Sequence, residues 1–364
     1  MSTLTAPQPT ALLPAEAYWS PRWYEREQQR LFGATWHLVC RTDELARVGD
    51  AVTVEAGTER LLVLRDGDGT LRAFHNRCPH RGMRLLDGAG NVASGIVCPY
   101  HAWSFALDGR CRRIPQAEQF PAATPETCRL DEASVGVWAG LVFAHPEPGG
   151  SLEAYLDAVP TLIGSFRPER LTQVARFEVP ARCNWKLLVE NHVDVYHLWY
   201  LHARTLSEYD HHRFAWRQVG PHWTSYEPRR PGVAARRPHA GAPQIRHLDD
   251  RDRAGIGAHL VFPNLLMAAE AEMFLTYVAR PVAPDRTCLD VRVHAEPDAP
   301  PEPLMAAARA FLLEDVAACE AVQDTVRSRR FRVAHLAVDH ERPITEFHRR
   351  VLAALGEDGD RGDP

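Results

Sequence analysis

The stretch Asn76-Arg77-Cys78-Pro79-His80-Arg81-Gly82, followed by Cys98-Pro99-Tyr100-His101-Ala102-Trp103-Ser104-Phe105, decides how the chain reads. Two cysteine and histidine pairs, C-x-H and C-x2-H, are separated by seventeen residues. Mixed thiolate and imidazole ligation at such spacings fits a [2Fe–2S] cluster in which one iron takes two sulfurs and the other two ring nitrogens. Exchanging two anionic thiolates for neutral imidazoles raises the reduction potential above that of an all-cysteine cluster, so the centre can pass single electrons onward. A structural zinc site uses the same residue types. The proline after each cysteine suits a tight loop, and Trp103 and Phe105 offer an apolar screen; both favour the cluster.

Around these loops the sequence is strand-like. Short runs rich in Val, Leu and Thr occur at Trp36–Cys40, Val52–Glu55 and Leu61–Arg65, and Asp66-Gly67-Asp68-Gly69 is a hairpin turn leading into Leu71–Phe74. Upstream, residues 1 to 13 read as a flexible arm, and Ser20-Pro21 starts an amphipathic helix running to about Phe32. A strand at Val137–Ala144 closes the β region, and His145-Pro146-Glu147-Pro148-Gly149-Gly150-Ser151 breaks regular structure. The expected division is 1–35 as arm and helix, 36–150 as a small all-β domain and 151–364 as a second domain. Gly88-Ala89-Gly90-Asn91-Val92-Ala93 matches a dinucleotide fingerprint but lies between the ligand loops rather than in a βαβ unit, so it reads as a turn. With no credible NAD or flavin site, the electrons must come from another protein.

The second half mixes helix and strand. Helices are expected at Trp185–Leu201 and Leu304–Ser328, with strands at Leu260–Ala268, Phe274–Arg280 and Leu289–His294; the aperiodic Pro228–Gly257 is a surface loop or a mobile lid. In NWKLLVENHVDVYHLWYLH, residues 184–202, Asp194 and His197 share a helix face within an otherwise apolar circumference. Burying Glu190, Asp194, His197 and His202 there is costly unless they bind something or each other. On an ideal helix His202 stands well over ~100° from His197, so the helix either ends near Leu201 or is distorted. Farther on, Leu304, Ala308, Leu312, Val316, Cys319, Val322 and Val326 form an apolar stripe that contains Asp315, while Glu314 points away. Such an acid is salt-bridged or a metal ligand. Two histidines and a carboxylate leave iron positions open for O2 beside a substrate.

NRCPHRG and CPYHAWSFALDG closely resemble the cluster loops of Rieske non-haem iron oxygenases, and NWKLLVENHVDVYH with His202 resembles that family's D-x-Y-H-x4-H motif. EDVAACEAVQ at 314 to 323 resembles its distal aspartate segment, and the likeness runs from about Trp36 to the FHRR at 347 to 350. The resemblance implies an α+β catalytic subunit: a small all-β Rieske domain, then a catalytic domain with an antiparallel sheet surrounded by helices. It implies Cys78, His80, Cys98 and His101 as cluster ligands and His197, His202 and Asp315 as ligands of a mononuclear Fe(II). Asp194 would be the acid linking His101 of one subunit to His197 of the next in a head-to-tail homotrimer, a ring that closes on itself. The partners implied are O2, a small substrate and a separate ferredoxin or flavin reductase. The motif wording resembles the choline, carnitine and betaine branch more than the ring-dihydroxylating branch, which points to hydroxylation or oxidative demethylation.

Composition agrees. The chain has 364 residues, 45% hydrophobic and 24% charged, with a formal charge of -5, and lacks the basic excess that phosphate backbones attract, so nucleic acid is excluded. No stretch approaches the roughly 20 apolar residues of a membrane helix, which places the expected location in the cytoplasm. Eight scattered cysteines suit reduced thiols and metal ligation rather than a disulfide framework. A bare electron carrier or a zinc-stabilised binding protein would leave the second histidine motif unexplained. Trp199, Tyr200, Phe262 and Tyr277 are candidates to line a cation-binding pocket or to fill core, and Asn264 resembles a family position near the iron.

Overall fold

The computed structural model describes residues 10–124, 127–232, 241–333 and 335–357 and resolves into two compact units. Ser20 leads into helix α1 (Pro21–Arg30), its carbonyl accepting from the Tyr24 amide at 3.1 Å, with Pro21 at the first position where its missing N–H costs nothing.

The unit Glu27–Tyr155 is built on strands β1 (His37–Arg41), β2 (Asp50–Ala56), β3 (Glu59–Arg65), β4 (Leu71–His75), β5 (Ala89–Asn91), β6 (Ile96–Val97), β7 (Ser104–Phe105), β8 (Cys111–Arg113), β9 (Glu132–Trp138) and β10 (Leu141–His145). Among the described residues they form an antiparallel sheet ordered β1-β10-β9-β4-β3-β2-β5 and a small β6-β7-β8 sheet. The β3–β4 hairpin turns where Asp66 Oδ1 accepts from the amides of Asp68 and Thr70, and Gly69 takes the left-handed φ of 80° that the turn requires. Strand β3 is buried on both faces. Leu61 and Val63 pack with Val39, Leu45 and Val142, whereas Leu62 and Leu64 pack with Phe74, Trp103, Phe105 and the two cysteines Cys78 and Cys98. Alternation along one strand therefore anchors the ligand loops to the core.

The other unit, Met1–Arg26 with Leu156–Pro364, follows the short helix α2 (Leu152–Leu156) and includes α3 (Val159–Leu162). Its sheet comprises β11 (Thr172–Ala181), β12 (Ala215–Val219), β13 (His222–Pro228), β14 (Gly255–Val261), β15 (Leu265–Ala269), β16 (Phe274–Ala283) and β17 (Arg286–Ala295) in the antiparallel order β11-β17-β16-β15-β14-β13-β12. The helices are α4 (Trp185–Val193), α5 (Leu198–Leu201), α6 (Asp250–Arg253), α7 (Pro301–Thr325) and α8 (Arg342–Ala354), and α4 packs on α7, α8, β14 and β16. The α+β arrangement expected from the sequence is the one found.

Several local expectations change. The Trp185–Leu201 helix ends at Val193: Asp194 turns extended at φ −81° and ψ 122°, its side chain accepts from the Tyr196 amide at 2.5 Å, and the Val195 amide is drawn to the His340 carbonyl at 3.2 Å. An aspartate that bonds nearby amides competes with the helix ladder, which explains the break. Asp194 and His197 thus do not share a helix face. Ala89–Asn91, expected as part of a turn, is an edge strand on β2. Residues 10–13 are tied down, because the amides of Thr10 and Leu12 donate to Thr345 Oγ1 at 3.1 Å and His348 Nδ1 at 3.0 Å. On α7, Val322 is exposed and Gln323 takes the buried position, accepting from the Asn184 amide and donating to the Tyr18 carbonyl. Part of the aperiodic segment, residues 233–240, lies outside the described residues.

Candidate metal centres

Cys78 and Cys98 sit at the starts of two loops with matching hydrogen bonding. The amide of each cysteine donates across its loop, Cys78 to Met83 and Cys98 to Trp103, both at 2.8 Å, and each cysteine carbonyl accepts from the residue four positions on. The loops turn through left-handed φ at Gly82 and, unusually for a residue with a Cβ, at Ala102. They bring His80 and His101 together with ring centroids 4.7 Å apart, and His80 stacks on Trp103 at 4.9 Å. The Nδ1 atoms of both histidines are buried without a hydrogen-bond partner, and both thiols are buried. Burial pushes the Cys78 thiol up to about 11, a cost relieved when a cation holds the sulfur as thiolate. Two orphaned ring nitrogens and two buried thiols suit a [2Fe–2S] group with mixed ligation.

The second centre gathers where α4 breaks. One ligand atom from each of His197, His202 and Asp315 lies within 4.8 Å of the others. His202 Nε2 is 2.8 Å and His197 Nε2 3.6 Å from Asp315 Oδ1. The opposite nitrogens are also held: His197 Nδ1–H donates to Asp194 Oδ2 at 3.1 Å, and His202 Nδ1–H to Glu314 Oε2 at 2.8 Å. Each imidazole thus has its Nδ1 fixed by a carboxylate and its Nε2 presented to one shared carboxylate, the orientation that metal-binding histidines adopt. Burial opposes a charge on His197, but Asp194 and Asp315 outweigh it and lift its pKa to about 10. His202 moves in the same direction against burial, through Asp315 and Glu314. Asp315 is held down to about 2 by the two histidines despite its own burial. A divalent cation would supply the positive charge that protons supply here.

Glu314 is the residue that the helical-stripe argument misplaced: it faces away from the core stripe, yet His202 lies on α5's C-terminal side and reaches it, with Thr205 Oγ1 also donating to Glu314 at 2.7 Å. Glu190 is not at this centre; its carboxylate accepts from Tyr18 Oη at 2.8 Å and contacts His348 Nε2 at 3.0 Å. Trp199 and Tyr200 are exposed, Phe262 packs on Phe347, and Asn264 bonds the Ala279 carbonyl at 3.0 Å. Of the four aromatic candidates, Tyr277 alone lines the cavity at the triad.

That cavity lies over one face of the β11–β17 sheet. Along β13, alternate residues Trp223, Ser225 and Glu227 line it, joined by Ile256 and Ala258 of β14, Ala268 of β15 and Tyr277 of β16. The intervening residues Thr224 and Tyr226 line a separate recess, as a period of two requires. His197, His202, Asp315 and Phe311 complete the cavity. His192 also lines it: its Nε2–H donates to the His259 carbonyl at 3.0 Å, so its Nδ1 accepts from Tyr277 Oη at 2.6 Å. In HWTSYE, residues 222–227, the large apolar Trp223 and Tyr226 stand three apart, so no period of two marks this strand, or the face that meets the triad, from sequence.

The family description "Ring hydroxylating alpha subunit (catalytic domain)" matches residues 168–357, and "Rieske [2Fe-2S] domain" matches residues 35–130. The carnitine monooxygenase oxygenase subunit of Escherichia coli is 33% identical over 221 residues, a match spanning 60% of this chain and 59% of that protein. Chloroplastic choline monooxygenase of Spinacia oleracea is 27% identical over 352 residues, spanning 92% of this chain and 76% of that one. A quaternary ammonium Rieske monooxygenase solved with L-carnitine superposes with a TM-score of 0.77 at 23% identity, covering 96% of each chain, which establishes a common fold. Together with the paired cysteine–histidine loops and the histidine–aspartate cluster, these matches show that the chain belongs to the ring-hydroxylating alpha-subunit family, with a Rieske [2Fe–2S] domain and the catalytic domain of mononuclear iron oxygenases.

Proposed function

We propose that the protein is the oxygenase component of a Rieske monooxygenase that hydroxylates or oxidatively demethylates a small quaternary ammonium compound. The carrying observation is the His197–His202–Asp315 cluster opening into a cavity walled by Trp223, Tyr277 and Phe311. Aromatic faces attract a cation that has no N–H to donate, which is the chemistry of a trimethylammonium group. Relatives named as acting on carnitine, choline and glycine betaine support the same reading.

In this reading Cys78, His80, Cys98 and His101 hold the cluster, and His197, His202 and Asp315 hold the mononuclear iron. When bound, these groups supply single electrons and a centre for oxygen activation. The chain's own residues supply orientation and exclusion of water. Asp194 and Glu314 keep the Nδ1 protons in place so that both Nε2 atoms remain ligands. Ile256, Ala258 and Phe311 line the cavity with apolar surface. Asp194 is the proposed link from His197 to His101 of a neighbouring copy in a homotrimer, and a separate ferredoxin or flavin reductase is the electron source.

The test is anaerobic purification with assay of metal and product. About three irons per chain and acid-labile sulfide are expected, and oxygen with a reductase should convert a trimethylammonium compound to a hydroxylated or demethylated product detectable by mass. Stoichiometric zinc without sulfide would sink the proposal.

A further inference from the structure

Strand β8 and the chain that returns beside it bring two further cysteines together next to the Rieske loops. The Leu130 amide donates to the Gly109 carbonyl at 2.9 Å. Followed two residues along the antiparallel chains, that register sets Cys128 opposite Cys111, and opposed residues have Cα atoms roughly 4.5–5.5 Å apart, within the roughly 4.4–6.8 Å that a disulfide spans. Both thiols are free. They hydrogen-bond each other, and Cys128 Sγ–H donates to the Thr124 carbonyl. Cys128 is 3% exposed and packs with Cys78, Cys98 and Trp103, whereas Cys111 is half-buried at the margin of the same core. The loop that joins the two carries Phe120, whose ring stands edge-on to His80 and to Trp103, 5.4 Å from each. Ile114 and Ala123 of that loop pack on the core as well.

We propose that Cys111 and Cys128 are a redox clasp, which closes to a disulfide under hydrogen peroxide and holds Phe120 over His80 so that the cluster outlasts the oxidant. Peroxide forms wherever O2 takes two electrons without delivering oxygen to a substrate. The Cys111 sulfur attacks one peroxide oxygen; the O–O bond breaks, water leaves and a sulfenic acid remains. The Cys128 sulfur then attacks the Cys111 sulfur, the S–S bond forms, the S–O bond breaks, and the Cys128 proton leaves with the hydroxyl as a second water. Each sulfur gives up one electron and the peroxide takes two. Burial and the Cys128 thiol push Cys111 up to about 12, so thiolate is scarce at neutral pH and closure is slow, a response to sustained rather than brief exposure. Cys183 and Cys319 also touch, but both are buried, and neither offers peroxide the partly open approach that Cys111 does.

The experiment treats the full-length, cluster-loaded protein with hydrogen peroxide at mildly alkaline pH and follows its visible absorbance. At intervals, free thiols are alkylated in denaturant and the chain is digested without reductant for mass analysis. A Cys111–Cys128 peptide pair, two hydrogens lighter than its reduced parts and split by dithiothreitol, should be the main linked species while most of the absorbance remains, with Cys183 and Cys319 recovered alkylated. Recovery of Cys111 and Cys128 as separate alkylated or over-oxidised peptides after the absorbance has gone overturns the clasp. Cys111→Ser should bleach at least about five-fold faster than wild type, because the cross-link removes open states of the loop. Equal bleaching rates overturn the protective role. The wild-type mapping stands whether or not the variant folds. The linked peptide is read independently of the metal that the loops hold, so a failure of the cluster assignment shows separately, as absent acid-labile sulfide.

Discussion

His202 Nδ1 lies 2.8 Å from Glu314 Oε2, across a gap of 112 residues, while the other face of the same ring meets Asp315. Adjacent acids on α7 therefore grip one imidazole from both ends. Glu314 fixes the tautomer that leaves Nε2 free to serve as a ligand in the proposed iron site, and carboxylates in that role contribute about 10- to 100-fold in metal affinity. Glu314→Gln should lower retention of mononuclear iron by that factor in a chelator competition and leave the cluster spectrum unchanged. Equal iron retention by variant and wild type would remove Glu314 from the centre.

Asp194 performs two tasks at the helix break, accepting from the Tyr196 amide with Oδ1 and from His197 Nδ1–H with Oδ2. Asp194→Asn keeps an acceptor for one donor but loses the second carboxylate oxygen and the charge. The variant should keep the cluster, bind mononuclear iron about 10- to 100-fold more weakly for the same reason as Glu314→Gln, and, once loaded with iron, turn over at least about 100-fold more slowly per bound iron because the proposed path to the neighbouring cluster is lost. Single-turnover kinetics started from fully reduced protein provide the measurement. Rates equal to wild type would rule out the linking role.

The cluster loops give an independent prediction. Cys98→Ser replaces a buried sulfur with a hydroxyl that is a poor ligand for iron. Acid-labile sulfide and visible absorbance should disappear, while a mononuclear iron content near one per chain persists because its ligands lie on other loops. Loss of both metals together would mean that the two sites do not load independently.

How far the sequence carried these conclusions differs between the two centres. The Rieske domain was legible because each proposed ligand pair is local: two residues of fixed type, a proline and a turn within a few positions. Asp315 was also within reach, since an acid inside an apolar helical stripe is anomalous wherever its partner lies. The break after Val193 was not legible, because NWKLLVENHVDVYHLWYL is apolar nearly all round as a helix and holds no Pro or Gly to end it, and the competing bonds come from the Asp194 side chain and the distant His340 carbonyl. Glu314 was missed for a related reason. A helical wheel ranks positions against one buried face, whereas His202 reaches this helix from the side. Cys111 and Cys128 carry no local signal, since only the register of the returning chain shows that they face each other.

The last prediction concerns acid. His259 is 5% exposed and accepts from or donates to Thr224 Oγ1 at 2.7 Å, and burial, reinforced by the nearby His192 and Arg251, pulls its pKa down to about 3. In the unfolded chain the same ring titrates near ~6.5. Between these values the unfolded chain binds more protons, so stability rises with pH. The contribution is complete above about pH 6.5 and drains away as pH falls toward 3. Lowering the pH from 7 to 5 should cost roughly 2 kcal/mol from this residue, at about 1.4 kcal/mol per pH unit below the unfolded value. His259→Gln cannot titrate and should flatten the pH dependence of the urea midpoint by a corresponding amount, even though its midpoint at pH 7 is lower through loss of the Thr224 contact. If wild type and variant lose stability in parallel between pH 7 and pH 5, the acid sensitivity of the catalytic sheet has another source.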